Sequence, residues 1–251
     1  MSLTIGSGPF GHRPAGRFNV VIEPSEVLFV DPSPRWIRGE RDGETVVDSR
    51  RVRMLHQHGK LGRYYFPRED VRVEGVELVE PPAGAPDLEG YVAIPWDELD
   101  AWFEEDEQLI AHAVDPYHRV DVRRSSRHVV VSSGDVTLAS SSRPSPLFET
   151  GLPTRWYLPR EDVVAELVPS DLHTECAYKG VASYFSVRAG DALLENIAWT
   201  YPDPRHDAAD VRDFVCFFNE AVDLDVDGER QERPETQWGS PGWWRSARIT
   251  R

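Results

Sequence analysis

The chain has only two cysteines in 251 residues. Two thiols argue against a disulfide-stapled scaffold and against a four-thiolate metal site. Cations are also scarce: 28 Lys+Arg stand against 43 Asp+Glu, a formal charge of −15. That balance argues against nucleic-acid partners bound through the phosphate backbone and against docking on an anionic membrane surface. No apolar run reaches the roughly 18 residues of a membrane-spanning helix. Residues 1–17 are rich in Gly and Pro and lack an apolar signal region, which predicts a cytoplasmic protein with a disordered N-terminal arm. The familiar glycine-rich phosphate cradles are missing, and no set of carboxylates can be assigned to Mg²⁺. Histidines 112, 118, 128, 173 and 206 are scattered without paired cysteines, so no metal site is expected.

What the chain does have is self-similarity. Arg63-Tyr-Tyr-Phe-Pro-Arg-Glu-Asp-Val71 matches Arg155-Trp-Tyr-Leu-Pro-Arg-Glu-Asp-Val163, 92 residues later. The same offset lays Thr45 on Thr137, Ser49 on Ser141, Arg51 on Arg143, Leu55 on Leu147 and Gly59 on Gly151. A period of that size is too long for a solenoid and suits a duplicated small domain. The expected organisation is an arm at 1–17, a degenerate first repeat at 18–118, a fuller second repeat at 119–235 and a polar tail at 236–251. The tail carries Trp238, Trp243 and Trp244, which are expected to fold back on the body rather than remain free. Downstream, laying Trp102-Phe-Glu-Glu105 on Phe217-Phe-Asn-Glu220 gives an offset of 115, or 23 extra residues in the second repeat.

Short Val- and Ile-rich runs bounded by Gly, Pro, Asp and Ser predict a mainly β chain. The expected architecture is two tandem small antiparallel-sheet domains with few short helices. Pro67 and Pro159 should close strands rather than interrupt them. Val71, Val73 and Val76 are expected to face inward. The best helix candidate is Pro95 to Ile110, where Leu99, Trp102 or Phe103, and Leu109 or Ile110 recur at near-helical spacing. Seven of the eleven residues from Asp97 to Glu107 are carboxylates, read as a solvated helix face.

The second copy carries a fuller set of motifs: Leu147-Phe-Glu-Thr-Gly151, the Arg155 block, Pro169-Ser-Asp171, Cys176-Ala-Tyr-Lys-Gly180, Ala182-Ser-Tyr184, Trp199-Thr-Tyr-Pro-Asp-Pro204 and Phe217-Phe-Asn-Glu220. These motifs resemble the bacterial family known as domain of unknown function 427. Asp115-Pro-Tyr-His-Arg-Val-Asp-Val122 and Ser125-Ser-Arg-His128 resemble the linker of its two-copy members from actinobacteria. The resemblance implies small β-tent-like domains, two sheets meeting along one edge, and a nucleotidyltransferase-like label with no settled mechanism. Ala177 departs from the family, where proline commonly follows the cysteine. Copy one has Gln57 where copy two has Glu149, and it has no clear Cys-x-Tyr-Lys-Gly.

Residues that differ between the copies are the candidates for chemistry. Cys176, Lys179 and Glu149 are the catalytic candidates, the thiol as nucleophile or soft ligand. Cys176, Lys179, Trp199, Tyr201 and His173 are the candidates for binding a planar or anionic small molecule, with haem or a nucleotide as the cofactors considered. The competing reading makes Cys176 a buried small hydrophobe and Lys179 a turn residue. A Cys176–Cys216 disulfide is not expected in a cytoplasmic protein. Residues kept in both copies read as structural: Arg63, Arg68, Glu69 and Asp70 in the first, Arg155, Pro159, Arg160, Glu161 and Asp162 in the second. One of the acids should pair with Arg155 or Arg160. The expected functions are a small-molecule-binding protein with one pocket in the second repeat, a nucleotidyl- or acyl-transferring enzyme, or a structural interaction module. The expected state is a monomer or weak dimer.

Overall fold

The computed structural model describes residues 3–72, 75–240 and 242–243. The protein is mainly β, with antiparallel sheets and short 3-10 turns. Among the described residues no helix is long and apolar enough to cross a membrane. The chain divides into two compact units, residues 1–119 with 150–152, and residues 120–149 with 153–251.

Unit 1 contains β1 (Leu28–Pro32), β2 (Ile37–Arg41), β3 (Glu44–Ser49), β4 (Arg53–Gln57), β5 (Arg63–Pro67), β6 (Tyr91–Val92), β7 (Ala101–Glu104) and β8 (Glu107–Leu109). They form two sheets, ordered β1-β4-β5-β6 and β3-β2-β7-β8. Alternation along β4 and β5 sends Met54, Tyr64 and Phe66 into a core with Ile37, Val46, Val47 and Trp102. The other face of the same strands, Leu55 and Tyr65, closes on Leu88 and Ala93. Val71 and Val76 pack against the first core, while Val73 lies outside the described residues. The segment expected as a disordered arm lies along this unit, where Gly59 N donates to Thr4 O at 2.9 Å. The Phe10 and Phe18 rings stack at 5.6 Å.

The expected helix at Pro95 to Ile110 does not form. A 3-10 turn at Trp96–Glu98 leads into the β7–β8 hairpin, where Trp102 pairs with Leu109. The near-helical spacing misled because Trp102 and Leu109 are cross-strand neighbours facing one core. Glu105 takes the left-handed conformation, φ 51°, that a tight hairpin turn needs. Two of the carboxylates serve the next strand: Arg35 donates to Glu104 at 2.5 Å and Trp36 N donates to Glu105 at 3.0 Å.

Unit 2 contains β9 (Val120–Val122), β10 (Val129–Ser133), β11 (Val136–Ser141), β12 (Ser145–Glu149), β13 (Arg155–Leu158), β14 (Leu167–Cys176), β15 (Gly180–Ala189), β16 (Ala192–Thr200), β17 (Val215–Phe217), β18 (Asp223–Val226) and β19 (Glu229–Arg230). The small sheet runs β11-β10-β18-β19. The large one runs β14-β15-β16-β17-β13-β12-β9 and curls into a half-barrel. Trp156, Leu158, Phe185, Val187, Ala198, Val215 and Phe217 on one face of the curled sheet pack against Val129, Val131 and Leu138 of the small one.

The pairings of the two units correspond residue for residue at first. Ile37 faces Ser49 in unit 1, and Val129 faces Ser141 in unit 2, each 92 residues on. Further along, the register corrects the 115-residue offset. Arg38 faces Phe103 and Val130 faces Asp225, so β18 stands 122 residues after β7. The inserted segment is therefore 30 residues, not 23, and it supplies the long strands β14 to β16. Trp102 and Phe217 occupy different strands in different sheets. Their shared aromatic-acid pattern was too short to fix a register.

Candidate functional site

The second face of the half-barrel is lined by polar and aromatic side chains. Antiparallel partners point to one side, so the pairs Tyr184↔Trp199, Trp199↔Cys216, Cys216↔Tyr157 and Tyr157↔Ser145 lay a row across five strands. Arg155 and Leu147 form the next row. Glu149 lies two residues past Leu147 on β12 and shares this face.

Lys179 enters the face from the β14–β15 hairpin and forms a buried ion pair with Glu149. Two motifs that are separate in sequence hold that hairpin. Gly180 is bridged to Pro204, and Arg205 N donates to Lys179 O at 3.0 Å. Gly180 adopts φ +99°, which a residue with a side chain rarely takes. Burial alone would lower the Lys179 ammonium, but the charge and hydrogen bond of Glu149, with Cys176 and Tyr157, together outweigh it and hold it above its ordinary value. Lys179 thus stands on this face as an ammonium donor.

Around this pair stand three tyrosines. Trp199 Nε1 donates to Tyr157 Oη at 2.9 Å, and the Tyr157 and Tyr201 rings lie 6.5 Å apart. Burial pushes both phenols well above their usual range, so both stay protonated. Tyr184 is bonded to Thr174 at 2.8 Å and is pushed up to about 12, again by burial. Cys176 pairs with Gly180 at the mouth of the hairpin and is half-buried. Cys176 and Cys216 are both free thiols, and burial raises the Cys216 thiol.

A second buried ion pair closes one end of the face. Both terminal nitrogens of Arg155 donate to Glu220, each at 2.7 Å. Trp199, Phe218 and Trp238 surround the guanidinium at 5.5, 5.6 and 5.6 Å. The tail supplies part of this cage: Thr236 Oγ1 donates to Glu220 at 2.5 Å, and Trp243 packs on Phe218 at 5.2 Å. Trp238 and Trp243 thus fold back on unit 2, while Trp244 lies outside the described residues.

Of the binding candidates, Cys176, Lys179, Trp199 and Tyr201 come together with Glu149. His173 does not. It pairs with Ser183, which neighbours Tyr184 on β15 and so points to the opposite face, and it bonds Ser183 at 3.2 Å. Sequence reasoning passed over Tyr157 and Glu220. Period-two alternation in Arg155-Trp-Tyr-Leu158 was the available signal for Tyr157, since Trp156 and Leu158 alone fit an apolar core.

The repeated Pro-Arg-Glu-Asp block forms a 3-10 turn in each unit, with Pro67 and Pro159 at its head. Its acids pair with neither Arg155 nor Arg160. Asp162 accepts from Ser141 Oγ at 2.6 Å and from Arg143 at 3.0 Å, and Glu161 from Arg143 at 2.9 Å. Unit 1 repeats this, with Ser49 and Arg51 each donating to Asp70 at 2.6 Å and Arg51 paired to Glu69 at 3.0 Å. The serine that ends β3 or β11 and the arginine two residues after it staple the turn, two positions that the sequence offset had already matched. Arg160 lies over the Phe185 ring at 4.9 Å, and Arg68 pairs with Glu80. Arg63 is exposed, unlike its counterpart Arg155.

Among the described residues, no group of three or more His, Cys, Asp or Glu is placed to hold a metal ion. No curated protein matches the chain. Residues 29–81 and 121–228 match the family described as Domain of unknown function (DUF427), one segment in each unit and well over half of the chain together. With the motifs of both units inside those segments, the chain belongs to the domain of unknown function 427 family.

Proposed function

We propose that unit 2 binds one small planar molecule on the second face of its half-barrel, and that unit 1 is a duplicated copy without this site. One observation carries the reading. Buried ion pairs, Lys179–Glu149 and Arg155–Glu220, stand on that face among tyrosine and tryptophan rings. Burying charge pairs is costly, and apolar residues of similar size would serve stability as well or better. Buried, mutually perturbed charges in a concave setting are the usual signature of a binding or catalytic site. Unit 1 supports the contrast, because the matching face holds Leu55, Tyr65, Leu88 and Ala93, and Gln57 replaces Glu149.

Haem fits this arrangement poorly, because His173 points away from the face that carries Cys176. Native mass spectrometry and optical spectra of freshly purified protein test the proposal. The expected result is one bound species per chain, lost in Lys179→Met/Glu149→Leu, which leaves no unpaired charge buried and so retains the unfolding midpoint. A wild-type protein that carries nothing and stays blank in a fragment screen overturns it.

A further inference from the structure

We propose that the C-terminal tail is a strap over the unit 2 site: Trp238 and Trp243 lift off the face to admit a ligand and close again over it. This rests on that face being a binding site, and it names what controls entry.

A ligand needs a way in, and the face is shut. Tyr157, Lys179, Trp199, Tyr201 and Cys216 are each at most 9% exposed. Something that covers them has to move before a ring-sized molecule reaches them. At the Lys179 end the cover is tied by backbone: Gly180 is bridged to Pro204, and Arg205 N donates to Lys179 O at 3.0 Å. At the Arg155 end the cover is the tail, and side chains tie it down. Trp243 meets Phe218 at 5.2 Å and Tyr184 at 5.9 Å. Trp238 lies over the Arg155 guanidinium at 5.6 Å, and Thr236 Oγ1 donates to Glu220 at 2.5 Å. Phe218 in turn packs on Trp199 at 4.4 Å, so Trp243 stands one ring away from the tryptophan of the site.

The backbone of the tail fits it for lifting. Gln231 N donates to Leu224 O at 2.8 Å where β19 ends, and Glu232, Arg233 and Glu235 beyond it are exposed. Further on, Trp238 N donates to Thr236 Oγ1, Gly239 N to Thr236 O and Trp243 N to Ser240 O. These three bonds lie inside the tail and persist when it moves as one piece. Segments held by side-chain contacts open locally at lower cost than strands held in a ladder. The latch on Glu220 is also safe to release. Both terminal nitrogens of Arg155 already donate to Glu220, so lifting Thr236 leaves no unpaired charge behind.

Cys216 reports the opening. It pairs with Trp199 and Tyr157 on the covered face and is 0% exposed. N-ethylmaleimide is applied to the full chain, and peptide mass spectrometry reads Cys216 apart from Cys176. Trp243→Ala is expected to speed Cys216 alkylation at least about tenfold, with amide exchange of β17 unchanged. In the wild type, amides of residues 237–240 are expected to exchange at least about a hundredfold faster than those of β15 and β17. Equal Cys216 rates in the two proteins overturn the strap, and so do tail amides as protected as the strands. Faster alkylation matched by faster β17 exchange reports global unfolding and overturns it as well. If Trp243→Ala does not fold, the wild-type exchange decides. Neither readout involves a ligand, so the strap can fail while native mass spectrometry upholds the site.

Discussion

Gly180 and Pro204 are joined by an antiparallel bridge, and a Cβ at Gly180 would lie 3.1 Å from the Asp203 carbonyl oxygen. The contact ties the Cys-Ala-Tyr-Lys-Gly turn to the Trp-Thr-Tyr-Pro-Asp-Pro segment, so Lys179 is held by backbone on both sides. Gly180→Ala meets a positive φ and a tight backbone contact together. It is expected to cost about 1–3 kcal/mol of unit 2 stability, measured by urea unfolding. A stability equal to wild type would show that the turn is not clamped.

Glu220→Gln removes the charge opposite a buried Arg155. The expected loss is about 3–5 kcal/mol, and Arg155→Met/Glu220→Leu should recover most of it, because no unpaired charge is then buried. Urea unfolding of the two variants makes the comparison. The same pair has a pH signature. Burial would raise the Glu220 carboxyl, yet the hydrogen bonds and charge of Arg155, with Thr236, hold it below its ordinary value. Its contribution is therefore present above the ordinary glutamate pKa and lost as pH falls through the lower folded value.

Ser49→Ala and Ser141→Ala test whether the two 3-10 turns are equivalent. Each removes a buried hydroxyl that donates at 2.6 Å to Asp70 or Asp162. Each is expected to cost about 1 kcal/mol. Differential scanning calorimetry should show similar losses for the pair. A loss confined to one of them would separate the roles of the two blocks.

His56 in unit 1 is 1% exposed, with Nδ1 3.7 Å from Asp115 and with the Phe29 and Tyr117 rings packed on it. Burial lowers its pKa, more than the charges of Asp115 and Asp31 raise it. The folded state thus favours neutral imidazole, and the unfolded chain takes the proton first on acidification. Stability from this site is full above the ordinary histidine pKa and falls as pH drops below it. His56→Phe, the residue that unit 2 carries at the matching position 148, is expected to weaken the dependence between about pH 7 and 5, leaving the part due to His112, whose pKa burial also lowers. Unfolding midpoints across that range provide the check.

By itself the sequence determined the β class, the 92-residue correspondence and the family, because these rest on local patterns: turn residues, Val-rich runs and a long gapless match. It also pointed to Cys176, Lys179, Glu149, Trp199 and Tyr201, through what copy one has lost. Tertiary structure alone decided which side of a sheet each residue faces. That is why His173 left the group and Tyr157 joined it: in a strand, one residue of register moves a side chain to the other face. It also decided the partners of charges. Arg155 found Glu220, 65 residues away, and Asp162 found Ser141 and Arg143, pairings that no spacing announces. The segment from Asp97 to Glu107 became a hairpin for the same reason. Its apolar spacing fitted a helix, and pairing with β2 made it a strand.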